Sequence, residues 1–104
     1  MPTIVILLLA ITLMISQGIP ISGPEIFKQN KCSVCHSIDG KGNTKGQLDG
    51  VGNKYDQDEL RQWLRDPISM AEKTKADRKP PMKPFELPED QETSLVNYLS
   101  SLRK

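Results

Sequence analysis

The 104-residue chain is poor in metal-binding and aromatic side chains: it has two cysteines, one histidine, one tryptophan, two tyrosines and two phenylalanines. A structural zinc site built from Cys and His needs four ligands, one more than those three residues supply. No apolar run rich in β-branched residues follows residue 22, which removes the strand–helix alternation a thioredoxin-like dithiol would require. There are no internal repeats and no low-complexity tract. The formal charge is only +1, so charge alone makes no case for binding nucleic acid or a membrane surface. Charge is also absent from one end: all 14 Lys and Arg and all 13 Asp and Glu lie from Glu25 onward.

That abrupt change in composition divides the chain into residues 1–22 and a polar domain of residues 23–104. Ile4–Ile15 is apolar except for Thr12. The run suits the h-region of a signal peptide better than a bilayer span of ~20 residues. Its flanks carry no Lys or Arg, however, and Ser16-Gln17-Gly18 is a poor cleavage site. Extending the run to Thr3–Ser22 reaches spanning length but includes Gln17, Gly18 and Pro20. The segment reads as an N-terminal hydrophobic helix, either an uncleaved membrane anchor or a signal peptide. Either option places the polar domain on the extracytoplasmic (periplasmic) side.

What the polar domain does contain is Cys32-Ser33-Val34-Cys35-His36. Two thiols at this spacing can each form a thioether to one vinyl group of a haem, and the histidine that follows is then held beneath the iron. A redox dithiol or a buried disulfide would explain the cysteines but leave His36 a coincidence. The few aromatic residues point the same way. A domain of about 80 residues has a marginal core by itself, and a covalent haem adds a large apolar body to pack around.

Local signals organise the domain as all-α, with three principal helices joined by loops. Gly23-Pro24-Glu25 resembles a helix start, with glycine as the cap and proline first, and the helix is expected to run into Cys32. Gly40, Gly42, Gly46, Gly50 and Gly52 mark loops. Asp56 and Glu59 form a capping-box pattern ahead of Leu60, Trp63 and Leu64, in a helix that Pro67 ends near Asp66. A helix cap explains these acids better than a catalytic pair does. Residues 70–84 read as loop, with at most a helical turn at 68–72. Pro88-Glu89-Asp90 opens the last helix, whose apolar face is Leu95, Tyr98, Leu99 and Leu102.

With the one histidine used, methionine is the natural sixth ligand to iron. Met1 and Met14 lie in the leader, leaving Met70 and Met82. Met82 is favoured, because Pro80, Pro81 and Pro84 stiffen the backbone around it. Met70 is the alternative and reads as core filler.

Phe27, Cys32-x-x-Cys35-His36, Leu48-Asp49-Gly50-Val51-Gly52, Trp63-Leu64-x-x-Pro67, Met82-x-Pro84-Phe85 and Tyr98-Leu99 together resemble a class I (monohaem, His/Met-ligated) bacterial c-type cytochrome. The resemblance implies a cytochrome c fold wrapped around one covalent haem c, with Cys32 and Cys35 as thioether donors and His36 and Met82 as axial ligands. It also implies that Trp63 packs against the haem and that the first and last helices cross near Phe27 and Tyr98. Two departures stand out. The family often has proline at Gln47, whose carbonyl is expected to accept from the His36 ring, and Met82-Lys83-Pro84 replaces the commoner Met-Pro.

Such a site suits single-electron transfer between donor and acceptor proteins, expected to be membrane redox complexes, rather than catalysis. The alternatives are a fixed subunit of a larger membrane-bound respiratory or oxidoreductase complex, and a gas-binding or peroxidatic haem protein in which Met82 does not ligate. Lys28, Lys31, Lys41 and Lys45 flank the attachment motif, and Lys75, Arg78, Lys79 and Lys83 flank the methionine. If they ring the haem edge, they would steer the domain onto an acidic partner.

Overall fold

The computed structural model describes residues 21–104; the expected N-terminal hydrophobic helix falls on residues outside that range. Among the described residues no helix is long and apolar enough to cross a membrane.

The first helix, α1 (Gly23–Gln29), is capped by Ser22 rather than by Gly23: the Ser22 hydroxyl accepts from the Glu25 N–H at 3.4 Å. A serine side chain can take one of the orphan amides at a helix start, which glycine cannot. Gly23 has a different task. A Cβ there would stand 2.7 Å from the Ser94 carbonyl oxygen and overlap the Tyr98 side chain, so its small size lets α1 press against the last helix. α1 also stops short of Cys32. The Asn30 side chain and N–H both donate to the Ile26 carbonyl, and Lys31 turns left-handed at φ 56°. A 3₁₀ turn, Cys32–Val34, then carries the first thiol.

A two-residue antiparallel ladder follows, β1 (Ser37–Ile38) with β2 (Lys41–Gly42), closed by Asp39 and Gly40 at φ 55° and 76°. Two successive positive φ values are what a tight hairpin turn requires, and Asp-Gly supplies them cheaply. A second 3₁₀ turn, Thr44–Gly46, leads to the short helix α2 (Val51–Lys54). Helix α3 (Gln57–Arg65) carries the expected capping box: Asp56 accepts from the Glu59 N–H at 2.8 Å, and Glu59 accepts from the Asp56 N–H at 3.1 Å.

Residues 67–74 depart from the expected loop. They form an eight-residue helix, α4 (Pro67–Thr74). Asp66 ends α3 and at once caps α4, its side chain accepting from Ser69 N–H, while Pro67 takes the first helical position. Proline therefore both stops one helix and starts the next. The last helix, α5 (Glu89–Ser100), begins after Pro88 and ends before Leu102, so Leu102 lies outside it.

The core is built where α1, α3 and α5 meet, from Ile26, Phe27, Leu60, Leu64, Leu95, Val96 and Leu99. Phe27 and Tyr98 cross edge to face at 6.4 Å, as the resemblance implies for the first and last helices. The buried stripe of α5 is Glu92, Leu95, Val96 and Leu99, with Tyr98 only half-buried. Glu92 is 3% exposed and is held by Arg61 at 2.9 Å and Arg65 at 2.6 Å, both from α3. The fold is all-α apart from the small ladder, and its helices frame the Cys32–His36 turn and the 76–88 loop.

Candidate haem-attachment site

The site begins with a turn that its backbone makes rigid. His36 N–H and Cys35 N–H both donate to the Cys32 carbonyl, at 2.9 and 3.2 Å, so the motif curls and its three functional side chains share one short bend. Cys32 is half-buried against the core and Cys35 is exposed; the two are not joined in a disulfide. Burial pushes the Cys32 thiol up, only partly offset by a backbone hydrogen bond, and neighbouring Cys35 adds to the rise. A reactive redox dithiol depends on the opposite, a depressed thiol pKa. The raised Cys32 thiol lacks that activation.

His36 is fixed by its ring. Nδ1 lies 3.0 Å from the Gly46 carbonyl oxygen. A carbonyl can only accept, so Nδ1 carries the proton and Nε2 is left with the free lone pair, the form that ligates a metal. The expected acceptor was the carbonyl of Gln47. The structure instead uses Gly46, the last residue of the Thr44–Gly46 turn, while Gln47 is extended at ψ 128° and bridges to Ser37. The path of the 3₁₀ turn, not the residue that replaces the family's proline, decides which carbonyl faces the ring. Burial lowers the His36 pKa; the Gly46 bond works against this, and the positive charge of Arg78 acts with burial. The imidazole is therefore kept neutral, as a ligand must be.

Met82 sits in the extended segment between α4 and α5, half-buried and packed against the core cluster. Phe85 N–H donates to the Leu64 carbonyl at 2.8 Å and pins the far side of that segment to the end of α3. On the near side Arg78 Nη1 donates to the Cys35 carbonyl at 2.6 Å. In the sequence Arg78 reads only as one of the charges flanking the methionine; this contact joins residues 43 positions apart and leaves no local signal. Met70, the alternative ligand, is 3% exposed on α4.

Trp63 lies on α3 with its ring edge-on to Tyr55, 5.9 Å between centroids. Its Nε1 is buried without a hydrogen-bond partner among the described residues, as is the Ser37 hydroxyl. An orphaned buried donor costs about 1–3 kcal/mol. An acceptor from outside the chain would satisfy it, and a carboxylate-bearing prosthetic group has one to offer. Two unpaired thiols beside a neutral imidazole with one free nitrogen make up a donor set that suits a covalently attached haem.

Comparison with curated proteins and with solved structures gave no significant match. The family model described as "Cytochrome c" matches residues 21–103, a span holding both cysteines, His36, Trp63 and Met82. The chain thus belongs to the cytochrome c family, its cofactor is covalently attached haem c, and its activity is the haem-based electron transfer of that family.

Proposed function

We propose that the protein is a monohaem carrier of the His/Met class, exchanging single electrons with protein partners on the extracytoplasmic side of a membrane. In this reading Cys32 and Cys35 hold one haem by thioethers, His36 and Met82 bind its iron, and Trp63 packs against it. The observation that carries the reading is the His36 ring: Nδ1 is committed to Gly46 at 3.0 Å, so Nε2 alone is free for iron. When bound, haem supplies a one-electron couple, which a thioether ligand biases toward the reduced state.

The chain's own residues supply the rest. The Gly46 carbonyl orients the imidazole, and the proline-rich segment offers the thioether from a backbone with few amide donors. The core side chains around Met82 keep water from the ligand side. If His36 and Met82 both held the iron, no position would be left open for a substrate, which would favour electron transfer over gas binding or peroxide chemistry. The extracytoplasmic setting is supported by the uncharged residues that precede Glu25, and the partners by the lysines on both sides of the site.

Two measurements test this on protein purified from a host able to attach haem. The intact mass should exceed that of the polypeptide by one haem and should show whether residues 1–22 remain. The oxidised protein should show the red absorption band of an iron–thioether bond and lose it in Met82→Ala. A missing band, together with carbon monoxide binding to reduced wild type, would replace this reading with a gas-binding or peroxidatic one.

A further inference from the structure

We propose that Arg78 is a positioning residue that clasps the methionine-bearing segment to the haem-attachment turn, and that its charge beside His36 favours the reduced form of the site. The proposal rests on the His36/Met82 ligation put forward above.

The segment carrying Met82 has little else to hold it. Ala76 N–H bonds back to Ala71 at one end and Phe85 N–H bonds to Leu64 at the other. Pro80, Pro81 and Pro84 have no N–H to give. Among the described residues, the bond from Arg78 Nη1 to the Cys35 carbonyl is the one hydrogen bond joining residues 77–84 to the remainder of the fold. Its acceptor belongs to Cys35, which carries the second thiol and directly precedes His36. The clasp therefore runs directly from one ligand loop to the other.

The same guanidinium lies over Gly46, the residue whose carbonyl holds the His36 ring. A Cβ on Gly46 would overlap Arg78 Nη1 and stand 3.0 Å from His36 Nδ1. A permanent cation is thus seated on the imidazole side of the site. Oxidised iron carries one more positive charge than reduced iron, so a nearby cation disfavours oxidation. Arg78 is exposed, which makes this effect modest and dependent on salt.

Arg78→Gln removes the charge and, with a side chain two atoms shorter, the reach to the Cys35 carbonyl; Arg78→Lys keeps the charge but loses the planar fork. In the full-length haem-loaded protein, Arg78→Gln should shift the one-electron equilibrium toward oxidation by about three- to tenfold, a fall of up to ~59 mV in potential. The shift should shrink as salt is added. Imidazole should bind oxidised Arg78→Gln about three- to tenfold more tightly than wild type, because Met82 is less well held. Arg78→Lys should keep the wild-type potential and fall between the two in imidazole binding. It serves as the test if the glutamine variant does not fold. Equal potential and equal imidazole affinity in wild type and Arg78→Gln would overturn the proposal, as would a lower unfolding midpoint with the potential unmoved. If wild type shows the iron–thioether band and these readouts stay still, the clasp fails and the ligation stands. A wild type without the band removes the ligation and the clasp with it.

Discussion

Glu92 offers the sharpest test of how the helices hold the site. It stands on the buried face of α5 and accepts three short bonds from α3: Arg61 Nη1 at 2.9 Å, Arg65 Nη2 at 2.6 Å and Arg65 Nε at 2.9 Å. Removing one partner of a fully buried ion pair costs about 3–5 kcal/mol. Here the arginines are 25% and 60% exposed, so water can take over much of their solvation once the carboxylate is gone. Glu92→Gln keeps the shape and one acceptor oxygen but turns an amide toward guanidinium donors. We expect it to cost about 1–2 kcal/mol at neutral pH. For a domain of this size that lowers the thermal midpoint by about 4–16 °C.

The pH dependence carries the stronger test. Hydrogen bonds from Arg65, opposed by burial and reinforced by Arg61, hold the Glu92 carboxyl below its ordinary range. A carboxylate whose folded pKa is depressed stabilises the fold above its unfolded value, and that contribution is lost as pH falls through the folded value. The gap between wild type and Glu92→Gln should therefore be full at neutral pH and begin to close below about pH 4.3. Denaturant unfolding of the haem-loaded protein at several pH values measures it. A gap that stays constant through the acid range, or no gap at neutral pH, would refute the argument.

The remaining predictions concern the site itself. Gly46→Ala would place a methyl group against the Cys35 carbonyl and Arg78 and 3.0 Å from His36 Nδ1. Since a backbone carbonyl cannot swing aside, the fold should lose about 1–3 kcal/mol; an unfolding midpoint and potential equal to wild type would show that the turn yields freely. Exchanging Lys79 and Lys83 for Glu should slow electron delivery to an acidic partner at low ionic strength and matter less as salt screens the pair. Stopped-flow rates across a salt series read this directly, and salt-independent equality with wild type would end the docking idea.

What could be read in advance was whatever rests on short-range rules. The capping box at Asp56 and Glu59, the proline-led start of α5 and the thiol–thiol–imidazole spacing each need only a few neighbouring residues, and the fold preserves all three. α4 has a legible start in Asp66-Pro67-x-Ser69, but the same proline also reads as the end of α3. Glu92 carried a signal too. It falls at helical spacing with Leu95, Val96 and Leu99, and an acid on an apolar stripe implies a buried partner. The Ser37–Gly42 hairpin is too short and polar to show any period.

The site divides along the same line. The residues that would touch the haem are written as a motif because their own spacing creates the geometry: the Cys32 carbonyl gathers the amides of Cys35 and His36 within one turn. The groups that orient them come from elsewhere in the chain. Gly46 reaches His36 across ten residues and Arg78 reaches Cys35 across 43, and neither contact follows from any local preference. Gly46 takes the role through a 3₁₀ turn that sets its carbonyl one residue before the one expected. Arg78 takes it where the prolines after it leave the segment with few amides to bind by. An attachment motif can thus be read from spacing alone, whereas the groups that orient its histidine emerge only when the loops are laid against one another. It is there, in the shells around His36 and Met82, that this chain departs from a bare attachment motif.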